Sequence, residues 1–276
     1  MSLTSNRVAI LGTGNIGGAI ARGIAASGLV PAGSITLTRR SLDHLQTFAA
    51  EGFIIEQSNA RAVQQSDLII IAVTPRQLNA LLNEIRGSLE PGRHTLISIV
   101  SGATIAEIRT QAGPDVAVIR VMPNTAIAIR ESMTCIAARD VDRGRLDAVK
   151  ELFEALGKVV VIDEELMVPA TALCACGIAF FLRAIRAASQ GGIEIGFHAE
   201  DALLMAAQTA RGAASLLVLQ GNHPEGEVDK VTTPQGCTIS GLNQMEHHGF
   251  SSALIRGIVT SAEKAAVLYA PRPSKA

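Results

Sequence analysis

The chain has no tryptophan and a single tyrosine, and aromatic residues make up only 3% of its 276 positions. Its 48% hydrophobic content therefore comes mainly from Ala, Ile, Leu and Val. Those side chains suit parallel strands buried on both faces and tightly packed helices. Charge of one sign is also missing. Lys and Arg total 24 against 25 Asp and Glu, a net charge of −1, so there is no electrostatic case for nucleic acid or an anionic membrane surface as partner. The four cysteines, Cys135, Cys174, Cys176 and Cys237, include no C-x-x-C and no accompanying histidine pair at zinc spacing. A dithiol redox motif and a metal site are thereby excluded, and buried free thiols in a reducing compartment are expected. Met1 to Asn6 lack the charged-then-apolar pattern of a secretion signal, which leads us to expect a cytoplasmic protein.

One uncharged run stands out. Leu166 to Leu182 carries no charged residue, a length at the lower limit of about 17 residues for a membrane-spanning helix. It contains Pro169 and Thr171 and runs directly into Arg183 and Arg186. A helix buried in a protein interface fits it better than lipid.

The most informative segment is Arg7-Val-Ala-Ile-Leu-Gly12-Thr-Gly14-Asn-Ile-Gly17. A β-branched apolar run ends at Gly12, and a small-residue helix starts about two residues after Gly14, the context that gives G-x-G-x-x-G meaning. Gly12 allows a tight turn, Gly14 lets a pyrophosphate approach the backbone, and Gly17 lets helix and strand pack closely. Thr13, Asn15 and Ile16 complete the turn, whose helix end offers free N–H groups to phosphate. The next strand, within Ser34–Thr38, ends in Arg39-Arg40-Ser41. An NAD site places an acid here and an NADP site an arginine. The two guanidiniums favour NADPH, with NADH as the second choice.

Alternating strands and helices continue at βαβ spacing through 53–56, 68–73, 95–99, 116–121, 133–137 and 158–162, with a helix from Asp142 to about Leu156. Beyond residue 165 strand signals stop. Residues 166–190, 199–220, 236–248 and 250–269 read as helices, with Gly191-Gly192 and Gly221-Asn-His-Pro224 as breaks and 270–276 as a disordered tail. The expected fold is α/β: a Rossmann dinucleotide-binding domain over residues 1–164, then an all-helical domain over 165–276. The helical half holds more apolar surface than a lone bundle hides, so a homodimer built through it is expected. Within it, Val231-Thr-Thr-Pro-Gln-Gly-Cys-Thr238 reads as a second anion site. Thr232 or Thr233 would cap a helix, Pro234 would take its first position, and the N–H groups of Gly236, Cys237 and Thr238 would hold a carboxylate.

Taken together, these segments resemble the pyrroline-5-carboxylate reductase family. Arg120-Val-Met-Pro-Asn-Thr125 is similar to its R-x-M-P-N-T, Gln208 to Ala214 to its Q-T-x-x-G-A-A, and Val231 to Leu242 to its V-x-S-P-G-G-T-T-x-x-G-L. The resemblance implies NADPH-dependent reduction of the cyclic imine 1-pyrroline-5-carboxylate to L-proline and an interleaved dimer, sometimes assembled further. It implies cofactor contacts at Gly12–Gly17, Asn59 and Ala72-Val73-Thr74-Pro75. Substrate contacts are implied at Cys176, Gly177, Gly236, Cys237 and Thr238, with Thr238 acting at the imine nitrogen. The chain departs from the pattern at Thr74, where the family has lysine, and at Cys174, Cys176, Ile178 and Phe180, where it has serine, serine, proline and tyrosine. In the signature, Gln235 replaces a glycine and Cys237 a threonine. These departures leave open a related imine reductase for another imino acid, or an NADP-binding homologue without turnover. A β-hydroxyacid dehydrogenase fits less well, because that family's catalytic lysine motif has no counterpart.

Overall fold

The computed structural model describes residues 6–267; the tail expected over 270–276 lies outside them. Eight strands form one sheet: β1 (Val8–Leu11), β2 (Ile35–Thr38), β3 (Ile54–Glu56), β4 (Leu68–Ile71), β5 (Thr95–Ser98), β6 (Ala117–Met122), β7 (Ser132–Ala138) and β8 (Gly157–Val161). Their order is β3-β2-β1-β4-β5-β6-β7-β8. Every pairing is parallel except β6 with β7. The chain reverses direction in the order between β1 and β4, where the carboxyl ends of neighbouring strands leave a crevice in open α/β sheets.

The helices of this half are α1 (Asn15–Ser27), α2 (Gln46–Ala50), α3 (Asn59–Gln64), α4 (Pro75–Ile85), α5 (Ile105–Ala112) and α6 (Arg143–Glu154). They cover both faces of the sheet, which is why β4 reads Leu-Ile-Ile-Ile without alternation. Ile70 packs in one core with Ile10, Leu37, Ile20 of α1 and Phe153 of α6. Its neighbours Ile69 and Ile71 pack in the other with Leu11, Leu78 of α4 and Ile108 of α5.

The remaining helices are α7 (Met167–Ala170), α8 (Gly177–Glu194), α9 (Ala199–Gln220), α10 (Pro224–Val231), α11 (Cys237–His247) and α12 (Phe250–Ala266). Between α7 and α8, Thr171–Cys176 forms a wider turn of π type. The chain divides into two compact units, one running to Cys176 and including the end of α12 from Ser261, the other Gly177–Thr260.

Two local expectations, on Gly191-Gly192 and on the start of α1, are corrected. Gly191-Gly192 does not break a helix but lies inside α8. A Cβ on Gly192 would stand 3.1 Å from the Ala202 Cβ of α9, so the glycine serves close helix packing. The break expected at Gly221–Pro224 is present: α9 ends at Gln220, and Gly221 turns at φ +68°. Pro224 then opens a new helix, α10, with the His223 side chain accepting from the Glu225 N–H, because a first-turn proline gives up no needed donor. Finally, α1 starts directly after Gly14, which is its N-cap.

The helical unit has little interior. Among the described residues of Gly177–Thr260, only Gly177, Ser189 and Ala202 are buried. Leu204 is 69%, Ile195 77% and Leu219 82% exposed. By length and composition alone, Glu164–Glu194 and Ala199–Gln220 are apolar enough to cross a membrane; only the first contains the uncharged run Leu166–Leu182.

Candidate dinucleotide and substrate sites

The glycine turn leaves β1 with Gly12 at φ +97°. A Cβ there would stand 2.7 Å from Val73 Cγ1 and 2.8 Å from the Ala72 carbonyl oxygen, and a Cβ on Gly17 would stand 2.5 Å from the Gly12 carbonyl oxygen. Both glycines are thus required by close approach. Gly14 differs: a Cβ there would meet nothing within 4 Å. Gly14 caps α1 with its own backbone, so the first N–H groups of the helix open onto free space, as a pyrophosphate requires.

Loops from neighbouring strand ends secure this turn. Thr13 is buried; its N–H and its hydroxyl both donate to the Thr38 carbonyl of β2, at 2.9 and 3.1 Å. The Thr13 side chain and N–H together pin the turn to β2. Ile16 packs against the core while Asn15 is exposed. The Ala72 N–H donates to the Leu11 carbonyl at 2.8 Å, holding the β4 loop beside β1. Thr74 caps α4, donating through its N–H and hydroxyl to Gln77 Oε1, and Pro75 takes the first helical position.

Arg39 and Arg40 stand exposed at the end of β2. Arg39 Nη1 donates to the Thr13 carbonyl at 3.1 Å, which holds one guanidinium against the glycine turn. Asn59, at the start of α3, joins this cluster. Its Oδ1 accepts from the Thr38 hydroxyl at 2.6 Å, and its Nδ2 donates to both oxygens of Glu84, at 3.1 and 3.0 Å. The sequence reading missed Thr38 and Glu84, because their link to Asn59 runs between elements far apart in sequence.

Arg120 was read only as part of a motif. It is 3% exposed and pairs with Glu164 at 3.2 Å. The same Glu164 oxygen accepts the Ile105 N–H at 2.6 Å, at the start of α5. Burial pushes the Arg120 pKa down, against the hydrogen bond and charge of Glu164.

The remaining sequence-derived residues lie elsewhere. Cys176 ends the π-type turn and Gly177 starts α8. Gly236, Cys237 and Thr238 belong to the helical unit, where Gly236 caps α11. Neither Thr232 nor Thr233 caps it, and Pro234 is not in it. Instead Thr233–Gly236 forms a turn closed by the Gly236 N–H donating to the Thr233 carbonyl at 2.9 Å, with Gln235 at φ +58°. A Cβ on Gly236 would stand 2.5 Å from Thr233 Oγ1, so that glycine is fixed by the turn. The expectation of buried thiols holds for Cys135 alone: all four cysteines are free, Cys174 and Cys176 are half-buried and Cys237 is exposed. Among the described residues no cluster of His, Cys, Asp and Glu could hold a metal ion.

A doubly covered, mainly parallel sheet with this glycine turn at its switch point defines a Rossmann-type dinucleotide-dependent oxidoreductase. Residues 7–102 match the family model described as NADP oxidoreductase coenzyme F420-dependent, and residues 164–268 that of pyrroline-5-carboxylate reductase dimerisation. Pyrroline-5-carboxylate reductase 2 of Dictyostelium discoideum is 49% identical, over 94% of this chain and 92% of its own length. The chain belongs to the pyrroline-5-carboxylate reductase family. Pyrroline-5-carboxylate reductase 1 of the same organism is 53% identical over 98% of this chain, which spans about half of that relative, 51%. Among solved structures, a pyrroline-5-carboxylate reductase from Coxiella burnetii has a TM-score of 0.89 at 25% identity, covering 97% of this chain and 100% of its own. The fold is shared with the Plasmodium falciparum pyrroline carboxylate reductase solved with NADP bound, TM-score 0.89 at 24% identity over 97% and 99% of the two chains.

Proposed function

We propose that this protein reduces the C=N bond of 1-pyrroline-5-carboxylate to give L-proline, using NADPH. The observation that carries the reading is the open N-terminus of α1 at Gly14, framed by two glycines that tolerate no Cβ, in a chain of this family. The residues fit the dinucleotide: the space before Gly14 is what a pyrophosphate needs, and two arginines follow where an NAD site would carry an acid. When bound, the nicotinamide supplies the hydride for the imine carbon.

The chain's own part is binding and orientation. The N–H groups at the start of α1 hold the pyrophosphate, Arg39 and Arg40 the 2′-phosphate, and Asn59 and Ala72–Pro75 the rest of the cofactor. The free N–H groups at the start of α11, at Cys237 and Thr238, hold the substrate carboxylate. The N–H of Gly236 is already spent on the Thr233 carbonyl, so that residue shapes the turn instead. Cys176 and Gly177 are assigned to the substrate as well. The Thr238 hydroxyl acts at the ring nitrogen. A protonated imine already accepts hydride readily, so positioning carries most of the rate.

The Rossmann part is assigned to residues 1–164 and the substrate and dimerisation part to 165–276, in line with the family model that begins at residue 164. A helical unit with three buried residues is completed by a second copy rather than by lipid or nucleic acid, and we place the protein in the cytoplasm. Loss of NADPH absorbance on adding 1-pyrroline-5-carboxylate tests the reaction. Thr238→Ala should lower turnover by up to about 10²-fold with NADPH affinity unchanged; full turnover would refute its role. Sedimentation as a monomer at micromolar concentration, without detergent, would refute the dimer.

A further inference from the structure

Two thiols outside the binding residues named above face each other. Cys135, on β7, is buried, and Cys174, in the π-type turn, is half-buried. Their sulfurs stand 3.9 Å apart. The turn is held on its other side by Asn124, whose Nδ2 donates to the Cys174 carbonyl at 3.4 Å. We propose that Cys135 and Cys174 form a reversible redox-modification site, at which a hydroperoxide converts the two thiols to a disulfide that ties residues 171–176 to β7 and slows turnover.

The sulfurs must close to about 2.05 Å. A π-type turn is a local widening of the helix, frequent at functional positions, and this one carries one of the two cysteines. The polarity of the pair is also favourable. The hydrogen bond from Cys135 brings the Cys174 thiol down to about 7 against the opposing effect of burial. That hydrogen bond and burial push Cys135 upward. Cys174 is also the half-buried member and Cys135 the buried one, so a peroxide reaches Cys174 first: Cys174 is the attacking thiolate and Cys135 the resolving thiol.

The chemistry balances. The Cys174 thiolate attacks one peroxide oxygen, the O–O bond breaks, and a sulfenic acid forms while the departing oxygen takes up a proton as water or alcohol. The Cys135 sulfur then displaces the hydroxyl, which leaves as water with the Cys135 proton. The two electrons lost by the sulfurs reduce the peroxide, and an added dithiol returns them. The disulfide would fix the turn immediately before Cys176 and Gly177, so its effect on turnover rests on the function proposed above; formation of the bond does not.

The test treats the purified full-length protein with stoichiometric hydrogen peroxide, then maps peptides without reduction and measures turnover before and after dithiothreitol. A Cys135–Cys174 linked peptide should form, with turnover falling at least about fivefold and recovering on reduction. Cys135→Ala and Cys174→Ser should each abolish the linkage, and Cys135→Ala should keep its activity under peroxide. The proposal is overturned by sulfinic acid at Cys174 without linkage, by linkage through Cys176 or Cys237 instead, or by unchanged turnover in fully linked protein. Absence of turnover before oxidation would refute the functional reading, while the linkage would still be scored.

Discussion

The Arg120–Glu164 pair offers a quantitative test of how the sheet holds the start of the long helical stretch. Glu164→Ala removes one carboxylate that serves both the Arg120 guanidinium at 3.2 Å and the Ile105 N–H at 2.6 Å. Arg120 is 3% exposed and Glu164 13%, so solvent cannot replace the lost partner at either end. Leaving one member of a buried pair uncompensated costs about 3–5 kcal/mol. At roughly 2 °C per kcal/mol for a chain of this size, the melting temperature should fall by about 6–10 °C. The isolated charge, rather than the missing contact, should account for most of the loss. The double variant Arg120→Met/Glu164→Leu should therefore recover at least about half of it. Differential scanning calorimetry at matched protein concentration reads both values. A single-variant shift under about 2 °C, or a double variant less stable than the single one, would refute the reasoning.

Four further outcomes follow from residues in the structure. Arg39→Ala should weaken NADPH binding by tenfold or more, the loss of one charge-assisted contact of about 1.5–3 kcal/mol, and leave NADH nearly unaffected; fluorescence titration of both cofactors reads this. Gln235→Gly should be neutral or stabilising by up to about 1 kcal/mol, since φ +58° suits glycine. Gly236→Ala should weaken substrate binding, because its Cβ would strike Thr233 Oγ1; KM and thermal unfolding measured together separate the two effects. Buried His94 should make stability acid-sensitive. Burial holds its pKa below the ordinary 6.5, so the unfolded chain takes up a proton that the folded one refuses. The resulting stability is present above pH 6.5 and is lost as pH falls through that value toward the folded pKa. Melting temperatures from about pH 7.5 to about pH 5 should fall more steeply in the wild type than in His94→Gln.

What could be read from the sequence follows the physics of each element. The central strands were legible because strands buried on both faces are written as β-branched runs, as in Leu68-Ile-Ile-Ile71; the edge strands β3 and β8 are half-exposed and were legible from their short Ile and Val runs alone. The glycine turn was legible because Gly12 and Gly17 answer steric demands within the chain, while Gly14 leaves space in front of the helix. Gly191-Gly192 misled because a local rule about helix breaking gave way to the distant approach of Ala202. Gly221-Asn-His-Pro224 was legible as a break because a left-handed glycine and a first-turn proline end one helix and open the next. The Asn59–Glu84 link and the Cys135–Cys174 pair join segments separated by 25 and 39 positions, and no spacing rule reports such meetings.

The scarcity of buried side chains in Gly177–Thr260 also has a consequence in time. The α/β half has two cores of its own and leaves the ribosome first, at about 5–20 residues per second. It can collapse as a unimolecular event while the remaining helices are still being made. In the dimer proposed above, the helical half, exposing Leu204, Leu219 and Ile195, must wait for a collision with a second copy. Its maturation then becomes second order in chain concentration, slow in a sparsely expressing cell and quick in an abundant one, and its unfinished state is the one chaperones would meet.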